Sequence, residues 1–333
     1  MLKDILVWTA VGVSAYNISP FVGNTSKLRV ETFVNSNESF DMVSSLIIGS
    51  KAAVIVDLPL AIPQAQALAS WVRKTTDKPL VAAFSTHFHP DHYLSGAAFL
   101  EQFPDTPFYA NSKTVGHMKN EVSDVVQQWS NVIGTENVVP IPTIPEPYDF
   151  TLFTLPGDEA SPVHILSTVV GDTVDASLFW IPSISVLIAG DLIIANSLHV
   201  WVADLLTPAL TASWLSTLNF IEKLRPRLII PGHSETNVGF GPTRDLEHSK
   251  KYLSLFQTEI EAKGINFYTP QEIFDLLDVA FPGITQSNTS SSALVLNFTA
   301  NEFGRGGPRY SHHVDLKSFT NITELHGWAL GKY

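Results

Sequence analysis

Apolar and polar positions alternate in short runs along the first third of the chain. Four of these runs are rich in β-branched residues and are bounded by turn residues, which predicts strands: 28–34, 43–49, 52–57 and 80–86. Between the last two runs, apolar residues recur every three or four positions, at Ala65, Leu68, Ala69 and Val72. This spacing predicts a helix over 63–74.

A second set of runs begins near residue 149. The segments "DFTLFTL", "PVHILSTVV", "ASLFWIP" and "SVLIAGD" predict strands, followed by a helix near 209–225 and a strand at 227–231. Further helices are predicted near 94–103, 112–129, 243–263 and 270–280. Strands with helices interposed, twice over, indicate an α/β fold with two sheets and helices outside. The tail contains a strand-like run, "ALVLNFTA", and a predicted turn, "FGRGGPR".

Composition limits the chemistry. Of the 333 residues, 45% are hydrophobic, so the chain can bury a large core. The formal net charge of −12 argues against a nucleic-acid partner and against docking to anionic membranes. The chain has no cysteine, which excludes disulfides and thiolate zinc sites. Any metal must therefore be held by histidine and carboxylate ligands.

The amino-terminal segment "MLKDILVWTAVGVSAYNISP" has the pattern of a secretory signal peptide and is too short to span a bilayer comfortably. We therefore expect a secreted protein with no membrane span in its mature form. An N-terminal helix or strand packed on the domain, in a cytoplasmic protein, is the alternative. Six glycosylation sequons favour a secreted glycoprotein: Asn17, Asn24, Asn37, Asn288, Asn297 and Asn321.

The stretch "THFHPDH" concentrates possible metal ligands. His87, His89, Asp91 and His92 lie within six positions, directly after the predicted strand at 80–86. On a helix, side chains at i and i+2 diverge, and Pro90 would interrupt a strand. The four side chains can therefore converge only in a tight loop, which predicts a metal site at the end of this strand.

This motif resembles the signature of the metallo-β-lactamase superfamily. Three later matches follow in the same order: Asp57 ends an early strand, Asp191 lies in "LIAGDLI", and His233 lies in "RLIIPGHSE". The resemblance implies an αββα sandwich of two mixed sheets with metals at the sheet edges. It covers a domain at 27–285, with an N-terminal extension at 1–26 and a C-terminal extension at 286–333 that packs on the domain.

The resemblance also implies the ligands. His87 and His89 would hold a first metal, Asp91, His92 and His233 a second, and Asp191 would bridge them. Two Zn²⁺ ions per chain are expected, and Fe or Mn is compatible with these donors. At the position of another histidine of the first site, this chain has Asp172. Asp172 could bind directly, His164 or His199 could replace it, or the first site could be weak or absent.

The implied activity is hydrolysis, in which a metal-bound hydroxide opens a small-molecule carbonyl substrate. A lactone or lactam of secondary-metabolite or xenobiotic type is preferred, with thioesters and other esters as alternatives. Asp91 or Asp172 would orient the nucleophile, and His199 would contact substrate, donate a proton or merely pack. Phe88 and Trp201 are candidate substrate-pocket residues. An Fe-dependent sulfur dioxygenase-like oxidoreductase and a non-catalytic binding protein remain rival hypotheses. No oligomeric state is predicted.

Overall fold

A computed structural model describes residues 28–237, 239–285, 290–310, 312 and 314–318. The predicted signal segment lies outside these residues, so it stays a prediction. Four of the six sequon asparagines also lie outside them: Asn17, Asn24, Asn288 and Asn321.

The remaining two sequons lie in described parts of the chain. The side chains of both Asn37 and Asn297 are exposed. Their exposure is compatible with glycosylation, which stays a prediction together with secretion. None of the helices in the described residues is long and apolar enough to cross a membrane.

The first sheet has six strands in chain order. Its first three strands pair antiparallel, and the third to the sixth pair parallel. The strands are β1 Arg29–Asn35, β2 Met42–Ile48, β3 Ala53–Val56, β4 Leu80–Phe84, β5 Phe108–Ala110 and β6 Glu146–Pro147. The short β5 and β6 were not predicted from the sequence.

The second sheet has five strands, in the order β11-β10-β9-β8-β7. All neighbours pair antiparallel except β10 and β11, which are parallel. The strands are β7 Leu152–Phe153, β8 Val163–Val169, β9 Ala176–Ile181, β10 Val186–Ile188 and β11 Leu228–Ile230. Both sheets are therefore mixed, as expected.

Seven α-helices occur in the described residues: α1 Ile62–Thr75, α2 Gly96–Leu100, α3 Ser112–Ile133, α4 Pro208–Leu224, α5 Arg244–Leu255, α6 Pro270–Ala280 and α7 Ser290–Phe303. After α5 the chain continues through a π turn at Phe256–Ile260 and a 3-10 turn at Glu261–Lys263. These elements account for the helices predicted between 63 and 280.

The two sheets pack face to face through alternate strand residues. Val54 and Val56 of β3 point to the same apolar cluster as Phe179 and Ile181 of β9. Phe84, at the end of β4, reaches across this interface to Phe179, with ring centroids 5.4 Å apart. This contact between sheets forms the inner layer of the sandwich.

The other faces of the same strands pack on helices. Ala53 and Ile55 of β3 share a second apolar cluster with Leu68 of α1, and Leu187 of β10 shares it with Trp214 of α4. Because side chains alternate along a strand, each sheet has one face on its partner and one on helices. The architecture is the αββα sandwich that the sequence predicted.

The strand predicted in the tail is wrong, because "ALVLNFTA" lies inside helix α7. Leu296 and Ala300, four positions apart, are 0% and 2% exposed, whereas Asn297 between them is exposed. Leu294, Val295 and Phe298 lie on another face of α7, in a cleft described below. Since both faces are apolar, the run shows no clear helical period in the sequence.

Candidate metal centre

The motif side chains meet at one edge of the sandwich, where several strands end. His87, His89, Asp91 and His92 follow β4, and three more come from later connections: Asp172 between β8 and β9, Asp191 after β10, and His233 after β11. Their donor atoms form two groups, each spanning less than 4.8 Å. Loops at strand ends, more than a hundred residues apart in sequence, thus build one centre.

The first group contains His87, His89, Asp172 and Asp191. Asp172 Oδ2 lies 2.7 Å from His89 Nδ1 and 3.6 Å from His87 Nε2. Nitrogen and oxygen ligands about 2.0–2.1 Å from a tetrahedral ion are roughly 3.3 Å apart, so these separations bracket that value. Asp172 therefore occupies the place where a third ligand of this group would lie.

The second group contains Asp91, His92 and His233, with Asp191 beside it. His233 Nε2 lies 3.2 Å from Asp91 Oδ2 and 3.1 Å from Asp191 Oδ2, while His92 Nε2 lies 3.2 Å from Asp191 Oδ1. These distances also match the spacing of tetrahedral ligands. Asp191 belongs to the first group and contacts the second, as a bridging carboxylate would.

Each imidazole has a polar partner close to its other ring nitrogen, through a hydrogen bond for His87, His89 and His233 and through an ion-pair contact for His92. The four partners are Thr86 Oγ1 for His87 (2.9 Å), Asp204 Oδ2 for His89 (2.8 Å), Asp57 Oδ2 for His92 (3.1 Å) and the Phe40 carbonyl for His233 (2.7 Å). Such contacts fix the tautomer and orientation of a metal-binding histidine. The nitrogens that face the two groups are thereby left free to bind a cation.

Asp57 supports the centre from the end of β3. Its backbone has a positive φ of 66°, which is uncommon for a residue other than glycine. Its carboxylate accepts hydrogen bonds from the Thr86 backbone N–H at 2.7 Å and from the Thr86 hydroxyl at 3.0 Å, besides contacting His92. These bonds hold the left-handed turn and connect both donor groups.

Two glycines permit the close approach of the loops. Gly190, with φ of 53°, packs against Thr86, and a Cβ there would lie 2.9 Å from Thr86 Oγ1. A Cβ at Gly232 would overlap the Asp191 carboxylate. Glycine is therefore required for steric reasons before both Asp191 and His233. A side chain at position 190 would collide with Thr86, and one at position 232 would displace Asp191.

The donor atoms fit a cation. His87 Nε2, both carboxylate oxygens of Asp172 and Asp191 Oδ1 are buried without a hydrogen-bond partner. Leaving such atoms unsatisfied is costly, and a bound cation would satisfy them. Because all these donors are imidazole nitrogens or carboxylate oxygens, they suit Zn²⁺ and also Fe or Mn.

Without a cation, protons would have to offset the charge of the carboxylates. Burial opposes the charged form of His92, but Asp191, Asp57 and Asp91 raise its pKa to about 10. Burial and the neighbouring histidines instead hold the pKa of His87 well below its ordinary value. The imidazoles of one centre thus differ in their protonation, and cation binding must displace protons.

The family model of the metallo-β-lactamase superfamily matches residues 40–233, which is more than half of the chain. The matched region begins at Phe40, two residues before β2, and ends at His233. The chain belongs to the metallo-β-lactamase superfamily. Membership supports a metal-dependent hydrolase in general terms.

The chain is also similar to individual proteins. The chain is 27% identical to metallo-β-lactamase IND-1 of Chryseobacterium indologenes over 246 residues, covering 73% of this chain and 90% of that protein. A metallo-β-lactamase from Pontibacter korlensis is a structural neighbour at 19% identity and a TM-score of 0.47, covering 69% and 96% of the two chains. Metallo-β-lactamase IND-7 matches at 24% identity and a TM-score of 0.44, covering 64% and 86%.

The superfamily pattern left three alternatives for the first site. The structure brings Asp172, rather than another histidine, to His87 and His89. His164 lies within β8, where it is paired with Leu152 of β7 and with Trp180 of β9. This placement is compatible with direct binding by Asp172, which stays a prediction.

His199 lies beside the centre but is bonded on both sides. Its Nδ1 is 3.2 Å from the Tyr252 hydroxyl and its Nε2 is 3.0 Å from the Thr285 hydroxyl. Burial and His248 lower its pKa to about 4, so the ring is neutral near pH 7. A neutral imidazole engaged by two hydroxyls is poorly placed to donate a proton, so its catalytic role stays a prediction.

An apolar cleft opens above both donor groups. Its volume, including the opening to solvent, is about 750 Å³, and its floor contains His89, Asp91, Asp191 and His233. Its walls combine aromatic and aliphatic side chains with His199: Phe40, Trp129, Ile194, Leu198, Trp201 and residues of the tail. An apolar cleft with a few convergent polar groups at its floor is the usual form of a small-molecule site.

The two predicted pocket residues differ in position. Trp201 lines this cleft, and its ring centroid lies 6.1 Å from that of His89. Phe88 is 4% exposed, packs 4.8 Å from the ring of His117, and faces a smaller cavity behind His89. Contact of either side chain with substrate stays a prediction.

Sequence reasoning missed Asp204, the partner of His89. This carboxylate is 3% exposed, and His312 contacts its other oxygen at 3.0 Å. Burial opposes its charged form, but the contacts with His312 and His89 outweigh this and lower its pKa to about 2. The available signal was a single aspartate in the apolar run "HVWVADLL", since a buried carboxylate needs a partner.

Proposed function

We propose that this protein is a hydrolase with two divalent cations that opens a lactone or lactam ring of a small-molecule substrate. The convergence of two groups of donor atoms on the floor of an apolar cleft carries the proposal, since it places the donors where a substrate can reach them. Zn²⁺ is the preferred cation, two per chain. A secondary metabolite or xenobiotic is the preferred source of the substrate.

His87, His89 and Asp172 would hold the first cation, and Asp91, His92 and His233 the second, with Asp191 shared. Two such cations would lower the pKa of a bound water toward neutral and would polarise a carbonyl oxygen. In the overall reaction, a water oxygen bonds to the carbonyl carbon, and the ring C–O or C–N bond breaks. The products are a hydroxy acid or an amino acid.

Asp91 is the carboxylate best placed to orient a water in the cleft. Its side chain is 14% exposed, compared with 5% for Asp191 and 0% for Asp172, and it lines the cleft. The histidines His92 and His233 oppose the effect of burial and hold the pKa of Asp91 below its ordinary value. The carboxylate therefore stays ionised and can orient a water by accepting a hydrogen bond from it.

The apolar walls favour water exclusion around the reacting carbonyl. Asp191, at the floor, is 4% exposed, and Leu198 and Ile194 above it are 3% and 2% exposed. A weakly hydrated site strengthens the electrostatic stabilisation of a developing oxyanion. This environment supports acyl transfer to water more than recognition of a highly polar substrate.

The proposal is tested with a panel of lactones, lactams, thioesters and simple esters, assayed with and without a chelator. Hydrolysis of a lactone or lactam that disappears with chelator and returns with Zn²⁺ would support it. Turnover restricted to thioesters or acyclic esters would instead indicate the alternative substrate class, thioesters and other esters. Absence of any metal-dependent hydrolysis would refute it.

One observation favours a second candidate, an iron-dependent oxidoreductase resembling sulfur dioxygenases. His87, His89 and Asp172 form a set of two histidines and one carboxylate, a combination that suits Fe(II) and O₂ chemistry. Metal analysis separates the two candidates. One iron per chain with oxygen uptake would favour the oxidoreductase, whereas two zinc ions with hydrolysis would exclude it.

A further inference from the structure

The C-terminal helix α7 forms one wall of the cleft. Its residues Leu294, Val295 and Phe298 line the cleft and are partly exposed to it, while the buried Leu296 and Ala300 face the core. The residues matched to the superfamily end at 233. This wall is therefore supplied by a part of the chain beyond the matched region.

Three aromatic rings connect the wall to the metal centre. Trp201 lies 5.3 Å from Phe298 and 5.4 Å from Tyr310, and Phe298 lies 5.5 Å from Tyr310, measured between ring centroids. Trp201 is also the neighbour of His89 at 6.1 Å. A substrate whose carbonyl lies over the donor groups would therefore place its adjacent substituent against these rings.

The wall is firmly attached. At the start of α7, the Ser291 hydroxyl donates to Asp41 Oδ2 at 2.6 Å, and at its end Phe303 packs on Phe256 at 4.9 Å. Helix α7 therefore has a fixed position in the cleft, as a specificity-determining surface requires.

The glycine-rich turn after α7 returns the chain to the cleft. A Cβ at Gly304 would lie 2.5 Å from the Ala300 carbonyl oxygen, and one at Gly307 would lie 2.5 Å from that of Asn301. These close approaches bring Tyr310 back to Phe298, where its backbone N–H donates to Glu302 at 2.9 Å. "FGRGGPR" is thus the turn that the sequence predicted, and it completes the aromatic cluster.

Within the described part of α7, the wall of the cleft carries no positively charged side chain. Among the described residues, no lysine or arginine lines the cleft, and its charged carboxylates are Asp91 and Asp191, both in the donor groups. The chain as a whole carries a formal charge of −12. A substituent bearing a carboxylate would lose hydration against Leu294, Val295 and Phe298 without gaining a cationic partner, which is unfavourable.

We infer that α7 and the turn after it select a neutral substrate with an apolar substituent next to the scissile carbonyl. This inference rests on the proposed ring-opening activity and adds the chemical class of the substituent. Apolar substituents gain from burial against Phe298 and Trp201, and anionic ones do not. The selecting residues are Leu294, Val295, Phe298, Trp201 and Tyr310.

The test uses the full chain loaded with Zn²⁺ and γ-lactones whose side chain on the α-carbon, next to the carbonyl, grows from none to an octyl group. We expect kcat/KM to rise by up to about fourfold per added methylene, the factor for burying one CH₂ group, and then to level off. A lactone ending in a carboxylate should be turned over at least tenfold more slowly than its neutral counterpart of the same length.

Two substitutions locate the effect on α7. Phe298→Ala should flatten the dependence on chain length, whereas the control Asn297→Ala, on the exposed face of the same helix, should retain it. Val295→Lys should raise kcat/KM for the carboxylate-bearing lactone relative to the neutral one. This gain cannot be produced by loss of folding.

The outcomes separate the inference from the proposed function. No hydrolysis of any lactone or lactam by the metal-loaded parent would overturn both. Hydrolysis of the unsubstituted ring, with a flat response to chain length and equal turnover of the carboxylate-bearing lactone, would overturn the inference alone. An unchanged preference in both Phe298→Ala and Val295→Lys would also overturn it.

Discussion

Replacing Asp204 by asparagine should weaken the first metal site selectively. Asp204 Oδ2 lies 2.8 Å from His89 Nε2, on the side of the ring away from the donor group, and the residue is 3% exposed. At an effective dielectric constant of about 20, opposite unit charges at this distance attract by about 6 kcal/mol. Most of that attraction is offset by the cost of burying the charges.

The net expectation is a loss of about 10- to 100-fold in affinity, the usual effect of removing such a partner of a ligand. The change should fall on the cation bound by His87 and His89. The second cation should be unaffected, because Asp57 rather than Asp204 holds His92. Competitive titration of Zn²⁺ or Co²⁺ against a chromophoric chelator resolves the two affinities.

The matched control is Asp175→Asn. Asp175 also accepts from a histidine, His117, at 3.0 Å, but that histidine belongs to neither donor group. It should leave both affinities unchanged. The reasoning fails if Asp204→Asn binds both cations as tightly as the parent, or if both affinities fall equally.

The other predictions concern steric space at two glycines and the ionisation of one buried carboxyl group. Gly232→Ala should lower the free energy of unfolding by roughly 1–3 kcal/mol and displace the second cation, because the added methyl overlaps Asp191. The control Gly116→Ala lies on α3 with open space around it, so it should raise the free energy of unfolding by up to about 1 kcal/mol. Urea unfolding measures both changes. Burial raises the pKa of Glu121 to about 8, above its unfolded value, so its stabilising contribution is complete in acid and is lost as pH rises toward 8. Glu121→Gln should therefore match the parent near pH 4 and be more stable by roughly 2–4 kcal/mol at pH 8; equal pH dependence of unfolding in both proteins would contradict this.

Much of the fold followed from the sequence because strand periodicity and turn residues are local signals. The motif loop and the later Asp191 and His233 were also accessible, since each follows an apolar strand and matches a familiar pattern. The identity of helix α7 was not accessible. Leu296 faces the core and Val295 faces the cleft, so the run is apolar on two sides and lacks a clear period.

The residues that hold the candidate ligands in place could not be predicted from the sequence either. Asp204 is 115 residues from His89 in sequence, and only the packing of the loop before α4 brings them together. Phe88 differs from Asp204, because it lies between His87 and His89 in the sequence. Its ring nevertheless packs on His117 and does not line the main cleft. Proximity in sequence therefore indicated which donor side chains converge, but it did not indicate which side chains line the cleft.

The central claim is that Asp172 completes a first cation site beside the second. It is tested most directly by counting the metal ions that the purified protein retains after equilibration with Zn²⁺ and removal of the excess. We expect two ions per chain for the parent, one for Asp172→Asn, and two again for Asp172→His. A parent that retains only one ion, with Asp172→Asn retaining the same number, would contradict the claim.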